Sequence, residues 1–117
     1  SGAIVAQYLD PVGTAIAEFQ DVTVPQSFSL SQNYPNPFNP ETTIRFDLPR
    51  SEKIELALYN LTGQKVATLA QGHRDAGTYA LRWDGRDDAG RELASSVYLY
   101  RLTAGDRVET RKLLLLR

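Results

Sequence analysis

The side chains able to do acid–base or metal chemistry are few in this sequence of 117 residues. Cysteine is absent, which excludes disulfides, thiol nucleophiles and cysteine-ligated zinc together. His73 is the only histidine, so a histidine-rich metal site is excluded as well. A Ser-His-Asp triad built on His73 lacks the G-x-S-x-G elbow that would present its serine. We expect His73 to lie in a solvated loop without a catalytic role.

One acidic loop, Asp84–Gly90, is the candidate for a calcium site, with Asp84, Asp87 and Asp88 as oxygen ligands. Its spacing departs from the EF-hand pattern, because Arg86 stands where that loop needs an acidic or amide side chain. Aspartates beside glycine are also ordinary turn residues that accept hydrogen bonds from their own backbone. The turn is the favoured interpretation, and we predict no metal and no cofactor.

Two further polar patterns have ordinary explanations. Glu55 and Glu92 are candidates for the paired carboxylates of a glycosidase, but a small β-domain offers no deep cleft between two acids. Asn60-Leu61-Thr62 matches a glycosylation sequon, and it coincides with a turn that ends at Gly63. We therefore predict that the protein is not an enzyme.

Charge and hydropathy exclude two classes of partner. The 13 basic and 14 acidic side chains give a net charge of -1, which argues against a nucleic-acid or anionic-membrane binder. A hydrophobic content of 42% is sufficient for a packed core. The longest obvious apolar run, Leu113–Leu116, is far shorter than the ~18 residues of a transmembrane helix.

Hydrophobic residues alternate with polar ones along most of the chain after Thr42. Ile44, Phe46 and Leu48 set this period of two. It recurs over 54–59, 66–69, 79–83, 97–102 and 108–116, with polar connections at 60–63, 72–77, 84–90 and 104–106. About six short strands separated by Gly, Asp and Asn turns are typical of an antiparallel sandwich or barrel. The predicted fold class is all-β.

Four aromatic residues allow two interpretations. Tyr79 and Trp83 share one face of a strand, and Tyr98 and Tyr100 share one face of another. Such residues fill the cores of small sandwiches, and an exposed row of them stacks on sugars. Core packing is the favoured interpretation, and a carbohydrate-binding platform is the alternative.

The segment Asn33–Pro40 carries three of the six prolines. Proline removes ladder donors and pushes the preceding residue toward an extended conformation. We predict a stiff, polyproline-like crossover in which Tyr34 and Phe38 anchor into the core. The favoured role is a rigid loop, and the alternative is a docking ligand for an aromatic groove.

The C-terminal run Lys112–Arg117 has four leucines between two cations. Alternation would bury Leu114 and Leu116 with Leu113 and Leu115 outward, or the reverse. A last strand buried on both faces at a sheet centre explains the run structurally, and a recognition tag for a partner explains it functionally. The two explanations are compatible.

The N-terminal part, residues 1–24, is predicted to lie outside the domain. Ser1-Gly2 and the absence of methionine suggest a cloning scar on a piece of a larger protein. Residues 3–24 are interpreted as a linker or the end of a preceding module, with a strand toward Val24. A helix starting at Asp10-Pro11 is the alternative. As a strand, the segment could pair with an exposed sheet edge and mediate self-association.

Several blocks within residues 25–117 together resemble a known family. The most specific is Asn33–Pro40 with Thr42-Thr43-Ile44; the others are Leu58–Val66, Gly77–Gly90, Val97–Leu102 and Lys112–Arg117. These blocks resemble the C-terminal sorting domain of type IX secretion. The later ones are also similar to the Ig-like domain of flagellar hook-capping proteins. One departure is Ser96, where the sorting family usually has glycine.

The resemblance implies an Ig-like antiparallel β-sandwich of about seven strands at the end of a larger exported protein. It implies recognition by the translocon, shuttle and sortase components of type IX secretion, and a secreted or cell-surface location reached through the periplasm. The implied sorting signal is Lys112, Leu113, Leu114, Leu115, Leu116 and Arg117. The implied structural residues are Asn33, Pro35, Asn36, Pro37, Asn39, Pro40, Gly77, Tyr79 and Tyr98.

Two functions from other classes remain open at this point. One is a carbohydrate-binding module, and the other is a passive Ig-like spacer or adhesion domain of a multidomain extracellular enzyme. In both of them, as in the sorting domain, the chain recognises or supports and does not catalyse.

Overall fold

Seven strands make up the regular structure of residues 24–117, which are the residues that the computed structural model describes. They are β1 Ser29–Leu30, β2 Thr42–Leu48, β3 Glu52–Tyr59, β4 Lys65–Arg74, β5 Gly77–Trp83, β6 Ser96–Ala104 and β7 Arg107–Leu115. This confirms the prediction of an all-β fold with about seven strands. The predictions for residues 3–23, including self-association through them, fall outside the described residues.

The strands form two antiparallel sheets that make an Ig-like sandwich. One sheet has the order β1-β2-β5, and the other has the order β4-β3-β6-β7. The longest register pairs β6 with β7, from Ser96 opposite Leu115 to Ala104 opposite Arg107. Within residues 24–117, no helix is long and apolar enough to cross a membrane.

Alternate residues of the strands point into the space between the sheets and fill the core. β2 buries Ile44, Phe46 and Leu48, which belong to one core cluster with residues of β3 and β6. The other fully buried large side chains include Leu30, Phe38, Leu56, Leu58, Tyr100, Leu102, Leu113 and Leu115. Burying each such side chain stabilises the fold by roughly 1.5–3 kcal/mol before conformational entropy is counted.

Strand β4 extends further than its polarity suggests. The sequence predicted a polar loop from Gly72 to Gly77, yet β4 continues through Arg74, and His73 is an exposed residue paired with Lys53 of β3. The loop prediction was wrong because main-chain pairing with β3 sustains an edge strand even where its side chains face water. His73 is exposed as predicted, although it lies on a strand.

The position of β7 also differs from the prediction. β7 is an edge strand of the four-stranded sheet, so the sheet-centre explanation of the leucine run is wrong. Leu113 and Leu115 are buried in the core, Leu114 is half-buried on the outer face, and Leu116 is 48% exposed. Leu114 and Leu116 therefore face away from the core, which leaves their side chains available to solvent.

Candidate recognition site

The outer edge of β7 is covered by the segment Asn33–Pro40, here called the proline segment. The Phe38 amide donates to the Leu114 carbonyl at 3.1 Å, and the Leu116 amide donates to the Phe38 carbonyl at 3.1 Å. Between them, Asn36 Oδ1 accepts a hydrogen bond from the Leu114 amide at 2.9 Å. These bonds join residues that are almost 80 positions apart in the chain, so the proline segment acts as a short partner strand for β7.

Two contacts between β7 and residues just before the proline segment extend this cover. Gln32 Nε2 donates to the Lys112 carbonyl at 2.8 Å. Arg111 Nε donates to the Leu30 carbonyl at 2.5 Å. The outward main-chain groups of the implied sorting signal are therefore largely engaged within the domain.

A buried hydrogen-bond network fixes the start of the proline segment. Asn33 is only 2% exposed, and its side-chain amide donates to Pro35 O and to Thr42 Oγ1. Its main-chain amide donates to Tyr100 Oη at 2.8 Å, and that hydroxyl donates to the Ser31 carbonyl at 2.7 Å. Because prolines cannot donate, side chains satisfy the polar groups that a normal ladder would pair.

Of the two predicted anchors, only Phe38 enters the core. Phe38 is 2% exposed, and its ring centroid lies 5.6 Å from that of Trp83. Tyr34 is 80% exposed, so the prediction that it anchors into the core was wrong. Its main chain forms a bridge with Thr43, whose side chain faces outward between the buried Thr42 and Ile44.

The remaining residues of the proline segment lie at the surface. Pro35, Asn36, Pro37, Asn39 and Pro40 are exposed. The peptide bonds that precede Pro35, Pro37 and Pro40 are cis. The segment is thus a surface loop tied down by Asn33, Asn36 and Phe38, as the rigid-loop interpretation requires.

The terminal Arg117 is anchored at the other end of the site. Its Nη2 donates to the Gly85 carbonyl and its Nε to the Leu93 carbonyl, both at 2.6 Å. Its amide donates to Ser95 Oγ at 2.8 Å. Gly85 has a φ of +76°, and a Cβ there would lie 2.7 Å from Arg117 Nη2. Sequence reasoning did not connect Arg117 with Gly85, Leu93 and Ser95. Two of these contacts use main-chain carbonyls, which leave no signature in residue type, and the third uses a serine hydroxyl on a distant loop.

The other structural residues of the implied motif lie in the sandwich as follows. Gly77 begins β5 with a φ of +154°. Tyr79 stacks on Phe46 with centroids 5.1 Å apart and donates to the Asp75 carbonyl at 2.7 Å. Tyr98 is buried and donates to the Ala94 carbonyl at 2.7 Å. Ser96, the departure from the sorting family, is the first residue of β6 and pairs with Leu115.

The four aromatic residues do not form an exposed row. Trp83, Tyr98 and Tyr100 are buried, and Tyr79 is half-buried against Phe46. Trp83 packs edge-on against Tyr98 with centroids 6.0 Å apart. Burial raises the pKa of both Tyr98 and Tyr100 above that of a free tyrosine. The carbohydrate platform built on these residues is therefore wrong, because their ring faces contact the core.

The acidic loop uses its carboxylates internally. Asp87 Oδ1 accepts hydrogen bonds from the Ala89 and Arg91 amides, and its Oδ2 lies 3.1 Å from Arg91 Nε. The Arg91 amide, followed by the Arg91 charge, lowers the pKa of Asp87. Asp88 Oδ1 accepts from the Thr68 amide on the edge of β4, and Asp84 Oδ1 accepts from the Arg86 amide. Across residues 24–117, no group of three or more His, Cys, Asp or Glu side chains is placed to hold a metal ion.

Glu55 and Glu92, the candidate glycosidase pair, each contact basic side chains. Glu55 Oε2 lies 2.6 Å from Lys65 Nζ on the neighbouring strand β4. Glu92 Oε2 lies 3.4 Å from Arg86 Nη2 and 3.8 Å from Arg117 Nη1. Both carboxylates are thus parts of surface ion pairs.

The sequence identifies the family to which this sandwich belongs. The sequence model of the FlgD Ig-like domain matches residues 33–107. The chain belongs to the FlgD Ig-like domain family. The match begins at the first residue of the proline segment and ends at the first residue of β7, so most of that strand lies beyond it. No curated protein matches the sequence of this FlgD Ig-like domain.

Solved structures that resemble this FlgD Ig-like domain include two from Porphyromonas gingivalis. In the crystal structure of dimeric latent PorU, 9% of the PorU chain matches 73% of this chain, with a TM-score of 0.60 and 18% identity. PorZ, described as an essential bacterial surface component of the type IX secretion system, matches over 79% of this chain and 12% of its own. The TM-score to PorZ is 0.51 at 17% identity.

FlgD from P. aeruginosa has a similar domain. It matches 63% of this chain and 58% of its own length, with a TM-score of 0.50 and 23% identity. This chain thus spans less than two thirds of each of these three proteins, and at such identities the likeness concerns the fold alone.

Proposed function

We propose that this domain is a non-catalytic sorting and cell-surface attachment domain at the C-terminal end of a larger secreted bacterial protein. In this proposal the type IX secretion machinery recognises it, and the partners are the translocon, shuttle and sortase components. The protein then resides at the outer-membrane surface or outside the cell after passage through the periplasm. The upstream cargo, covalently linked, carries the biological activity.

One observation carries the proposal. The terminal strand is held at the sheet edge by the proline segment, while Lys112, Leu114 and Leu116 point outward. A recognition element must be both ordered and accessible, and the outward side chains of this strand meet both requirements. Similar folds occur in PorU and in PorZ, and PorZ is a component of a type IX secretion system. This likeness supports the proposed role in type IX secretion.

The test is export of a reporter fused in front of the full 117-residue chain in a type IX-competent host. Deleting Arg111–Arg117 is expected to trap the fusion in the periplasm, and normal surface display of this truncated fusion would contradict the proposal. Because the deletion also removes the buried Leu113 and Leu115, it can unfold the domain. A surface substitution is therefore needed beside it.

Leu116→Ser supplies that substitution, and Val108→Ser is its matched control. Both leucine and valine are exposed, at 48% and 56%, and they lie toward opposite ends of the β7 region. We expect loss of surface display for Leu116→Ser and normal display for Val108→Ser, with equal thermal stability of both. Equal display of the two variants would leave the passive Ig-like spacer as the function.

A genomic observation is the cheapest check. The proposal requires a stop codon directly after the codon for Arg117 in the full-length gene. Further domains after Arg117 would contradict a terminal signal and favour the spacer.

A further inference from the structure

The outer face of the four-stranded sheet carries a surface that the hydrogen-bonded edge does not use. We define the outer patch as Val97, Leu99, Arg101, Lys112 and Leu114. On β6 and β7 these residues lie side by side, because Val97 is opposite Leu114 and Leu99 is opposite Lys112. All five alternate with buried residues and so point away from the core.

The aliphatic part of the outer patch is half-exposed. Val97, Leu99 and Leu114 are only partly covered by the rest of the domain. A depression of about 200 Å³ opens between Val97, Leu114 and Asn36 of the proline segment. Contiguous aliphatic surface of this kind, bordered by polar groups, is typical of protein-binding sites.

The two charged residues of the outer patch, Arg101 and Lys112, are both cations. Arg101 lies over the ring of Tyr59, with 4.8 Å from its guanidinium carbon to the ring centroid. Within residues 24–117, neither Arg101 nor Lys112 lies in a salt bridge with a carboxylate. Glu55 of the same sheet is already paired with Lys65. Two cations therefore lie beside the aliphatic residues of the patch, and both are available to pair with carboxylates of a partner.

The geometry also excludes one mode of binding along the signal. Strand addition requires free main-chain groups at a sheet edge. At Lys112, Leu114 and Leu116 those groups bond to Gln32, Asn36 and Phe38. A partner must therefore contact side chains on the face of the sheet.

We propose that the outer patch docks a protein surface of the secretion machinery in which carboxylates flank aliphatic side chains. This inference rests on the proposed sorting function and adds the chemistry of the partner. Charge complementarity is the argument for it, because Arg101 and Lys112 match acidic side chains while Val97, Leu99 and Leu114 match aliphatic ones. Anionic membrane binding is less suitable, since it uses clusters of about four to eight cations.

The experiment uses the same reporter fusion with charge reversal at the patch. Arg101→Glu and Lys112→Glu are compared with Arg45→Glu and Lys53→Glu, which make the same changes at exposed positions on β2 and at the far end of β3. We expect about tenfold or greater loss of exported reporter for each patch variant and none for the controls, because like charges then oppose each other across the interface. Arg101→Lys and Lys112→Arg keep the positive charge and should be exported as well as the unmodified fusion.

Site-specific photo-crosslinking identifies what touches the patch in the host. The probe is p-benzoylphenylalanine at Leu99, compared with the same residue at Thr43 on the outer face of β2. Crosslinks from position 99 to an acidic segment of a secretion component, abolished by Arg101→Glu, would support the proposal. Crosslinks to lipid, or to a segment without carboxylates, would overturn it.

The two proposals fail in different ways. Export of the unmodified fusion together with undiminished export of Arg101→Glu and Lys112→Glu would overturn the docking patch and leave the sorting function intact. A complete lack of export of the unmodified fusion would contradict the sorting function itself. Equal thermal stability of all variants ensures that unfolding does not explain a loss.

Discussion

Tyr100 joins three parts of the molecule through a single hydroxyl. It is fully buried on β6, accepts a hydrogen bond from the Asn33 amide and donates one to the Ser31 carbonyl. The sequence places Tyr100 on the core side of its strand but gives no sign of the hydroxyl's partners. Its function depends on residues almost 70 positions earlier, which no local pattern encodes.

Replacing Tyr100 by phenylalanine tests the importance of this hydroxyl. Tyr100→Phe leaves the buried Asn33 amide and the partly buried Ser31 carbonyl without this partner, so we expect a loss of about 1–3 kcal/mol in the free energy of unfolding. Tyr59→Phe is the control, because the Tyr59 ring is half-buried on the outer face beneath Arg101. Urea unfolding of both variants measures the difference, and equal stabilities would contradict the structural role of Tyr100.

Asp87 gives the fold a predictable response to acid. Its folded pKa lies below 3.8, the value taken for the unfolded chain, because the Arg91 and Ala89 amides and the Arg91 charge favour the carboxylate. Its contribution is therefore complete above pH 3.8 and is lost as the pH falls through the lower, folded pKa.

Asp87→Asn should thus lower the melting temperature at neutral pH, and the gap to the unmodified domain should close below pH 3.8. Scanning calorimetry from pH 7 to pH 2.5 measures both curves. Asp106→Asn, in the exposed turn before β7, serves as the control and should change the melting temperature at neutral pH little. A gap that stayed constant with pH would contradict the role assigned to the Asp87 charge.

At the scale of elements, the proline segment and β7 depend on each other. Asn36 supplies the acceptor for the Leu114 amide, between the two main-chain bonds of Phe38. Removing that acceptor should loosen the end of β7 without unfolding the core. Local opening of this kind is visible in amide hydrogen exchange.

Asn36→Ala is therefore expected to accelerate exchange of the Leu114 amide by about fivefold, corresponding to a hydrogen bond of roughly 1 kcal/mol. Asn39→Ala is the matched control, because Asn39 is an exposed asparagine of the same segment. Exchange measured by NMR at single residues compares the two. Unchanged protection of Leu114 in Asn36→Ala would show that the side chain does not hold the strand.

The period-two pattern predicted the strands, but it did not predict the features that depend on which segments pair with each other. Alternation at Ile44, Phe46 and Leu48 was sufficient to identify β2 and its buried face. The run Leu113–Leu116 offered both registers equally, and only packing against the opposite sheet selects Leu113 and Leu115. The edge position of β7 could not be inferred, since sheet order depends on contacts between distant segments.

The sequence identified the residues of the candidate site, but it did not show that they lie next to each other. The motif Asn33–Pro40 and the run Lys112–Arg117 were both recognised, each for its own composition. Their contact emerges from three-dimensional pairing through Asn36 and Phe38. Tyr34 was assigned to the core because it is aromatic, whereas its pairing with Thr43 turns it outward.

At the scale of the whole molecule, Phe38 links the surface segment to the sandwich core. It contacts Trp83, which in turn packs against Tyr98 of the opposite sheet. Phe38→Ala should therefore cost about 3–5 kcal/mol, as for other buried aromatic residues. Tyr34→Ala, four residues earlier and 80% exposed, should change stability by about 0.5 kcal/mol or less.

Chemical denaturation of both variants measures the contrast. A large loss for Phe38→Ala together with an unchanged slope against denaturant concentration would indicate a cooperative domain that includes the proline segment. Equal effects of the two substitutions would contradict the assignment of Phe38 as the anchor.

The pairing of the proline segment with β7 also sets the order of events during protein synthesis. Leu114 is made 78 residues after Asn36, so a chain still on the ribosome lacks the strand that covers the edge of β6. Without Leu113 and Leu115 the core between the sheets is incomplete. Contacts this distant form slowly in β-sandwiches, so a nascent chain stays unfolded for longer than one stabilised by local contacts. The domain can close only after its last strand has emerged.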